Sequence, residues 1–298
     1  MKKVLYFDCT NGISGDMTLG ALIHLGADIE AIKSELAKLN VSGYELMPEK
    51  AQFSGIAGIN LHVLIRDEHH SEVQGHGEEN NEDRERDYEE DNGGELKHTE
   101  VPDHGEENNQ DREHDHEVDN EGHGHRSFSS IHRMILESEL SDRVKHHAGN
   151  IFSVIARAEA AVHDKPVEDV VFHEVGAVDS IVDIVGTAIC LDLLEIDEVY
   201  CSPLHDGHGS IRCRHGIIPV PVPAVVEMLK DSEIELYSED VPTEMVTPTG
   251  LGILKGLNAV CGLMPAIKVT GAGYGFGKRD TGRFGGLRVM MGYLRPTD

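Results

Sequence analysis

Four side chains able to bind a metal or move a proton lie close together in segment 172–183. His173 and Glu174 follow a short apolar stretch, and Asp179 and Asp183 stand four residues apart on a predicted helix. Residues with this spacing share a helix face, and α/β proteins place ligands at the ends of their strands. The spacing equally fits an ordinary helix in which Asp179 is the N-cap and Asp183 a surface residue.

A glycine-rich loop contains three further histidines, His205, His208 and His215. Prolines at 219, 221 and 223 then fix an extended backbone before the next predicted helix. Histidines on such a rigid loop suit a borderline metal ion or proton transfer. Histidines are also common on exposed loops, so the pattern by itself leaves both interpretations open.

Two loops lead into predicted helix N-termini and could bind phosphate. Free backbone N–H groups and the helix dipole favour anions at such positions. Glycine, serine and threonine are also ordinary capping residues, so each loop alone is a weak indication. The candidate phosphate-binding residues are Gly12, Ser14, Gly15, Asp16, Thr247 and Thr249.

Glycines alternate with other residues from Gly271 to Gly277. The run lacks the dinucleotide-binding fingerprint, because Phe276 stands where the last glycine would be needed. Alternating glycines instead let one face of a strand approach another backbone or a ligand closely. Gly275 is therefore a candidate for contact with a bound cofactor.

Apolar runs and periodicities predict the elements that position these residues. Strands are predicted at 4–7, 59–65, 170–172, 198–202, 233–237, 267–270 and 287–294. The loop 11–16 opens a helical stretch that runs through Leu25, and further helices are predicted at 28–39, 144–162, 181–194, 222–230 and 249–257. Alternation of strands and helices is typical of an α/β fold, here a mixed sheet with flanking helices.

An acidic, histidine-rich insertion at 66–126 interrupts this pattern. It carries 23 acidic and 6 basic side chains and too few apolar ones to form a core. We therefore predict a first part of the α/β domain at 1–65, a disordered insertion at 66–126, and a second part at 127–298. The insertion's histidines, set among carboxylates, fit either weak binding of nickel, zinc or copper or a simple solvated linker.

The overall charge excludes some classes of protein. The formal net charge of −28 disfavours nucleic acid as a partner, because such binding depends on Lys and Arg. The apolar run at the N-terminus is too short for a signal peptide or a membrane span, which predicts a cytoplasmic protein. The 5 cysteines form no CxxC pair, so neither a disulfide framework nor a zinc ribbon is expected.

Five motifs, taken in order, resemble those of one family: the nickel-insertion proteins for the nickel-pincer cofactor of lactate racemase, the LarC family. They lie at 8–17, 172–183, 215–224, 247–250 and 273–277. The resemblance covers essentially the whole chain outside the insertion. A variable histidine-rich segment at this position is also similar to the family.

The resemblance implies a CTP-dependent metal insertase of the lyase class. It would place Ni(II) into pyridinium-3,5-bisthiocarboxylic acid mononucleotide, bonding the metal to two sulfurs and one ring carbon, and the product would activate lactate racemase. Other cofactor-maturation proteins and further copies of this chain are the expected partners.

The same resemblance implies roles for individual residues. His173, Glu174 and His215 would bind nickel or take the ring proton, with Asp179 and Asp183 as ligand carboxylates or as partners of the ligands. Asp8, at a strand end, is a further candidate ligand or base. The two helix-start loops would anchor the substrate phosphate.

Two departures from the family pattern affect these expectations. Family members usually continue into a smaller C-terminal domain associated with CTP, so we expect CTP to act through that domain. Either this chain is the N-terminal product of a split or frameshifted gene, or a partner chain supplies the domain. An Asn expected shortly before Leu287 is absent, and Phe284-Gly-Gly286 stands there. The alternative function is a non-catalytic nickel chaperone that stores the metal in the 66–126 insertion.

Overall fold

A computed structural model describes residues 1–65, 126–172, 175–213, 215–279 and 281–295. The predicted insertion lies outside the described residues except for Arg126, which pairs with Phe172 in a short ladder. His173 and Glu174 also lie outside them.

The described residues contain thirteen strands and seven α-helices. The strands are β1 (Lys3–Asp8), β2 (Tyr44–Phe53), β3 (Ile56–Ile65), β4 (Arg126–Ser127), β5 (Val171–Phe172), β6 (Glu198–Cys201), β7 (Leu204–Asp206), β8 (Ser210–Cys213), β9 (Gly216–Pro219), β10 (Leu236–Ser238), β11 (Val260–Cys261), β12 (Ile267–Phe276) and β13 (Gly286–Leu294). The helices are α1 (Gly15–His24), α2 (Ile29–Leu36), α3 (Phe128–Glu137), α4 (Asp142–His163), α5 (Val178–Leu193), α6 (Pro223–Leu229) and α7 (Pro248–Gly256), with 3₁₀ turns at Ala37–Leu39 and Val167–Asp169.

The central element is a 7-stranded sheet in the order β11-β6-β1-β13-β12-β3-β2. Strands β1, β6 and β11 run parallel to one another, whereas β13 is antiparallel to both of its neighbours. The sheet is therefore mixed, which confirms the predicted α/β class. The remaining strands form two-stranded ladders at its periphery: β10 with β7, β4 with β5, and β8 with β9.

Helix α1 lies directly on the sheet because glycines leave room for it. A Cβ atom added to Gly275 would lie 1.8 Å from the Met17 carbonyl oxygen, and one on Gly273 would lie 2.1 Å from that of Ala21. The predicted close approach of the glycine strand to another backbone is therefore confirmed. Helices α5 and α7 then pack against α1, and α4 packs against both.

Most predicted elements are present. Strand β2 was missed because it has only one fully buried residue, Leu46, and several charged side chains, and so shows little apolar alternation. Helix α3 was also missed although it is amphipathic, with Ile131 and Ile135 buried on one face; it is only 10 residues long and directly follows the insertion. Within the described part of the chain, no helix is long and apolar enough to cross a membrane.

Candidate functional site

The N-termini of α1, α5 and α7 meet at one place, which we call the helix-start site. The Ile13 amide donates to the Met245 carbonyl at 2.9 Å, and the Thr247 amide donates back to the Ile13 carbonyl at 3.0 Å. A Cβ on Gly15 would lie 2.7 Å from Asp183 Oδ2 and 2.8 Å from Thr249 Cγ2. The two predicted phosphate loops and Asp183 therefore adjoin one another.

Capping side chains explain why these helices begin where they do. Ser14 accepts from the Met17 amide, and Thr247 Oγ1 accepts from the Gly250 amide at 3.1 Å. Asp16 adds a carboxylate to the first turn of α1 and accepts from the Ser14 hydroxyl and the Met17 amide. These caps stabilise the helix ends.

Asp183 is buried at this junction, so the interpretation of it as a surface residue is wrong. Its Oδ1 atom is buried and has no hydrogen-bond partner among the described residues. Burial raises the pKa of this carboxyl group well above its usual value, the carboxylates of Asp16 and Asp179 raise it further, and Lys278 opposes them. Asp179 is not the N-cap of α5 either, because Ala177 occupies that position.

Asp8 ends β1 and forms an ion pair that the sequence does not indicate. Arg288 Nε donates to Asp8 Oδ2 at 3.1 Å, and a second guanidinium nitrogen donates to the same oxygen. The Thr10 hydroxyl donates to Asp8 Oδ1 at 2.8 Å. The pairing follows from antiparallel register, since Asp8 lies opposite Arg288.

Basic side chains after β12 reach across to acidic residues of other loops. Lys278 Nζ lies 3.9 Å from Asp16 Oδ2, and Arg279 pairs with the buried Glu244. Arg283 pairs with Glu239 at 2.6 Å. Sequence reasoning missed these three cations, although all of them lie between 278 and 283, because attention fell on the strongly acidic charge of the whole chain.

Asp206 is a second buried carboxylate that the sequence did not single out. Its Oδ1 atom accepts from the backbone amides of Gly207, Met245 and Val246, at 2.8, 2.7 and 3.0 Å. Burial raises its pKa, whereas these three donors act to lower it. Since Met245 also accepts from Ile13, Asp206 fixes the segment that joins the starts of α1 and α7.

The three loop histidines do not form a single cluster. His205 Nδ1 lies 2.6 Å from Glu239, and His208 Nε2 lies 3.2 Å from Asp240. The His215 ring instead lies against His163, with ring centroids 5.1 Å apart. Among the described residues, no three His, Cys, Asp or Glu side chains are arranged to hold a metal ion.

Comparison with known proteins identifies the family. Residues 5–297 match the family model described as nickel insertion protein. The chain belongs to this family.

Two of its relatives, from Acetivibrio thermocellus and Lactiplantibacillus plantarum, are named pyridinium-3,5-bisthiocarboxylic acid mononucleotide nickel insertion protein. They are 47% and 45% identical over 292 residues, which is 97% of this chain in both cases. A putative nickel insertion protein from Dictyoglomus thermophilum is 37% identical over 98% of the chain. The chain spans 60 to 61% of the length of these three relatives. No solved structure matches it significantly.

Proposed function

We propose that this chain inserts Ni(II) into pyridinium-3,5-bisthiocarboxylic acid mononucleotide, the compound in the names of its relatives. The metal bonds to two sulfurs and one ring carbon, and the proton on that carbon leaves as the Ni–C bond forms. The reaction therefore needs a held metal, an anchored phosphate and a proton acceptor. Membership of the nickel insertion family supports the binding of nickel. The helix-start site supports the phosphate anchor and the proton acceptor.

The observation that carries this proposal is Asp183. A buried carboxyl group with an unpartnered oxygen is costly to a fold, and such groups are frequent at functional sites. Its raised pKa makes the ionised carboxylate a stronger base than an exposed aspartate. In our proposal Asp183 accepts the ring proton, with Asp179 and Asp8 as further candidate carboxylates.

The phosphate anchor consists of backbone N–H groups at the starts of α1 and α7. Thr249 is buried beside Gly15, and the Lys278 ammonium group lies close enough to Asp16 to reach an anion at the same helix start. Backbone N–H groups at a helix N-terminus bind phosphate, and a nearby cation adds a favourable charge. Gly12 keeps this cradle tight, since a Cβ there would lie 2.2 Å from the Met245 carbonyl oxygen.

Nickel, in this proposal, is bound by His215 together with His173 and Glu174. We further propose that CTP acts through a C-terminal domain, and that the product serves lactate racemase. Copies of the chain would associate in the cytoplasm.

A reconstitution assay tests this function. The full chain is mixed with nickel, CTP and the thiocarboxylated mononucleotide, with and without a separately expressed C-terminal domain, and the nickel product is sought by mass spectrometry. We expect Asp183→Asn to lose at least 100-fold in rate, a general-base contribution of about that size. The matched control Asp192→Asn, near the end of the same helix, should remain active.

Each outcome decides between the two functions. Product formation that depends on Asp183 supports the insertase. No product in either mixture, with nickel still bound by the chain, would replace the insertase by a non-catalytic nickel chaperone. Equal activity of Asp183→Asn and the parent protein would show that Asp183 does not accept the ring proton.

A further inference from the structure

Three polar side chains form a row across neighbouring strands of the central sheet. Asp8 of β1 lies opposite Arg288 of β13, and Arg288 lies opposite Tyr274 of β12. Directly opposed residues place their side chains on the same face of a sheet. Gly273 and Gly275, which flank Tyr274, face α1. The row therefore lies on the other face, because successive side chains of a strand alternate. We call Asp8, Arg288 and Tyr274 the arginine row.

Asp8 holds the Arg288 guanidinium group in place. Nε and Nη2 of Arg288 both donate to Asp8 Oδ2, and the Thr10 hydroxyl donates to Asp8 Oδ1. The Asp8 side chain is only 14% exposed, whereas that of Arg288 is 44% exposed. A guanidinium group has five N–H donors, and those on Nη1 take no part in the contacts with Asp8. The ion pair therefore fixes a cation at the surface that can donate to a second anion.

Aromatic rings lie beside the arginine row on the same face. The Phe284 ring meets the Tyr274 ring edge to face, with centroids 6.1 Å apart, and the Phe276 ring at 5.9 Å. Tyr274 and Phe284 are half-buried, so their rings are partly accessible from solvent. Aromatic faces attract a pyridinium ring, which is a cation, and arginine binds carboxylate-like groups. This surface therefore suits a pyridinium ring that carries an acidic substituent.

The backbone connects the arginine row to the helix-start site at two points. Asp8 is followed by Cys9, whose carbonyl oxygen accepts from the Gly12 amide at 3.0 Å. Gly277 follows the end of β12 and lies close to the first turn of α1, since a Cβ there would lie 3.1 Å from Met17 Sδ. The row therefore adjoins the proposed phosphate anchor.

We propose that Arg288 binds a thiocarboxylate group of the substrate, while Tyr274 and Phe284 lie against its pyridinium ring. This subsite rests on the proposed function, which supplies the substrate. Nickel bonds to the two sulfurs and the ring carbon, so the thiocarboxylate oxygens stay free to accept from a guanidinium group. Asp8 positions Arg288 for this contact.

Two mononucleotides that differ in one group test this subsite. Nicotinic acid mononucleotide carries a carboxylate on its pyridinium ring, whereas nicotinamide mononucleotide carries an uncharged amide and is otherwise the same. We expect the full chain to bind the acid about tenfold or more tightly than the amide, as isothermal titration measures. Arg288→Gln should remove this preference and leave the affinity for the amide nearly unchanged, which also shows that the variant is folded.

Further variants separate the charge of Arg288 from its position. Arg288→Lys should keep part of the preference, because lysine retains the charge but lacks the planar fork. Asp8→Asn should weaken the preference without removing it, since the guanidinium group loses its fixed orientation. The matched control is Arg143→Gln, which alters another partly exposed arginine paired with an aspartate, and it should keep the preference in full.

The outcomes distinguish this subsite from the proposed function. Equal affinities for the two mononucleotides in the parent protein, or a preference that survives Arg288→Gln, would overturn the subsite even if nickel insertion proceeds. Failure of the parent protein to bind either compound would overturn the subsite together with the phosphate anchor. A preference that depends on Arg288, in a chain that makes no nickel product, would uphold the subsite and reject only the insertase.

Discussion

The helix-start site and the turn between β8 and β9 are built in opposite ways. At the helix-start site, Gly12 and Gly250 lie close to neighbouring backbone and Gly15 lies close to two side chains, so a methyl group on any of the three would lie under 3.0 Å from its neighbours. The turn between β8 and β9 instead carries the half-buried Cys213 and the exposed His215. A fixed cradle suits an anion held by N–H groups, whereas exposed side chains on a turn can change position without disturbing the core.

The largest expected effect comes from filling the space between α1 and the sheet. Gly275→Ala should lower the free energy of unfolding by about 3 kcal/mol, because the new Cβ would meet the Met17 carbonyl oxygen and must displace α1. Denaturant unfolding measures the change. Gly149→Ala is the control: its Cβ would have ordinary contacts at 3.9 Å in the middle of α4, and should raise the same free energy by roughly 0.5 to 1 kcal/mol. Similar losses in both variants would contradict the close approach.

Removing the Asp206 carboxylate should have the next largest effect. Asp206→Ala leaves the amides of Gly207, Met245 and Val246 without their acceptor, which we expect to cost about 2 kcal/mol of unfolding free energy. Since this segment fixes Thr247, binding of nicotinic acid mononucleotide, a simple phosphate-bearing analogue, should weaken as well. Isothermal titration measures that binding. If a folded Asp206→Ala variant binds nicotinic acid mononucleotide with unchanged affinity, Asp206 does not support the phosphate anchor.

The pH dependence of stability tests whether the buried Asp183 carboxyl group destabilises the folded protein when it ionises. Its pKa is raised in the folded protein, so the stability linked to protonation is present at low pH and is lost as pH rises through that pKa. The Asp183→Asn variant has no titrating group at this position, so its stability does not show this loss as pH rises. The difference in Tm between the variant and the parent protein should therefore grow in favour of the variant as the pH rises above about 4, the ordinary aspartate pKa. A difference that does not change with pH would mean that the pKa of Asp183 is not raised in the folded protein.

The sequence predicted strand β1 and the glycine-lined contact of α1 because both depend on local patterns. Strand β1 is a continuous apolar run, and the alternating glycines of β12 indicate a close approach wherever the partner lies. Burial of Asp183 could not be predicted, since its neighbours Gly15 and Thr249 are distant in sequence. The ion pair between Asp8 and Arg288 depends on sheet register, and the contact between the tilted His163 and His215 rings depends on how a turn meets a helix end.

The smallest effects are expected where the turn between β8 and β9 meets the end of α4, and they would complete the contrast. Glu159→Gln and Cys213→Ser alter partly exposed side chains whose replacement leaves no cavity. Each should change the free energy of unfolding by less than about 0.5 kcal/mol, as denaturant unfolding measures. A loss of more than about 1 kcal/mol would show that these side chains support the fold as the helix-start site does.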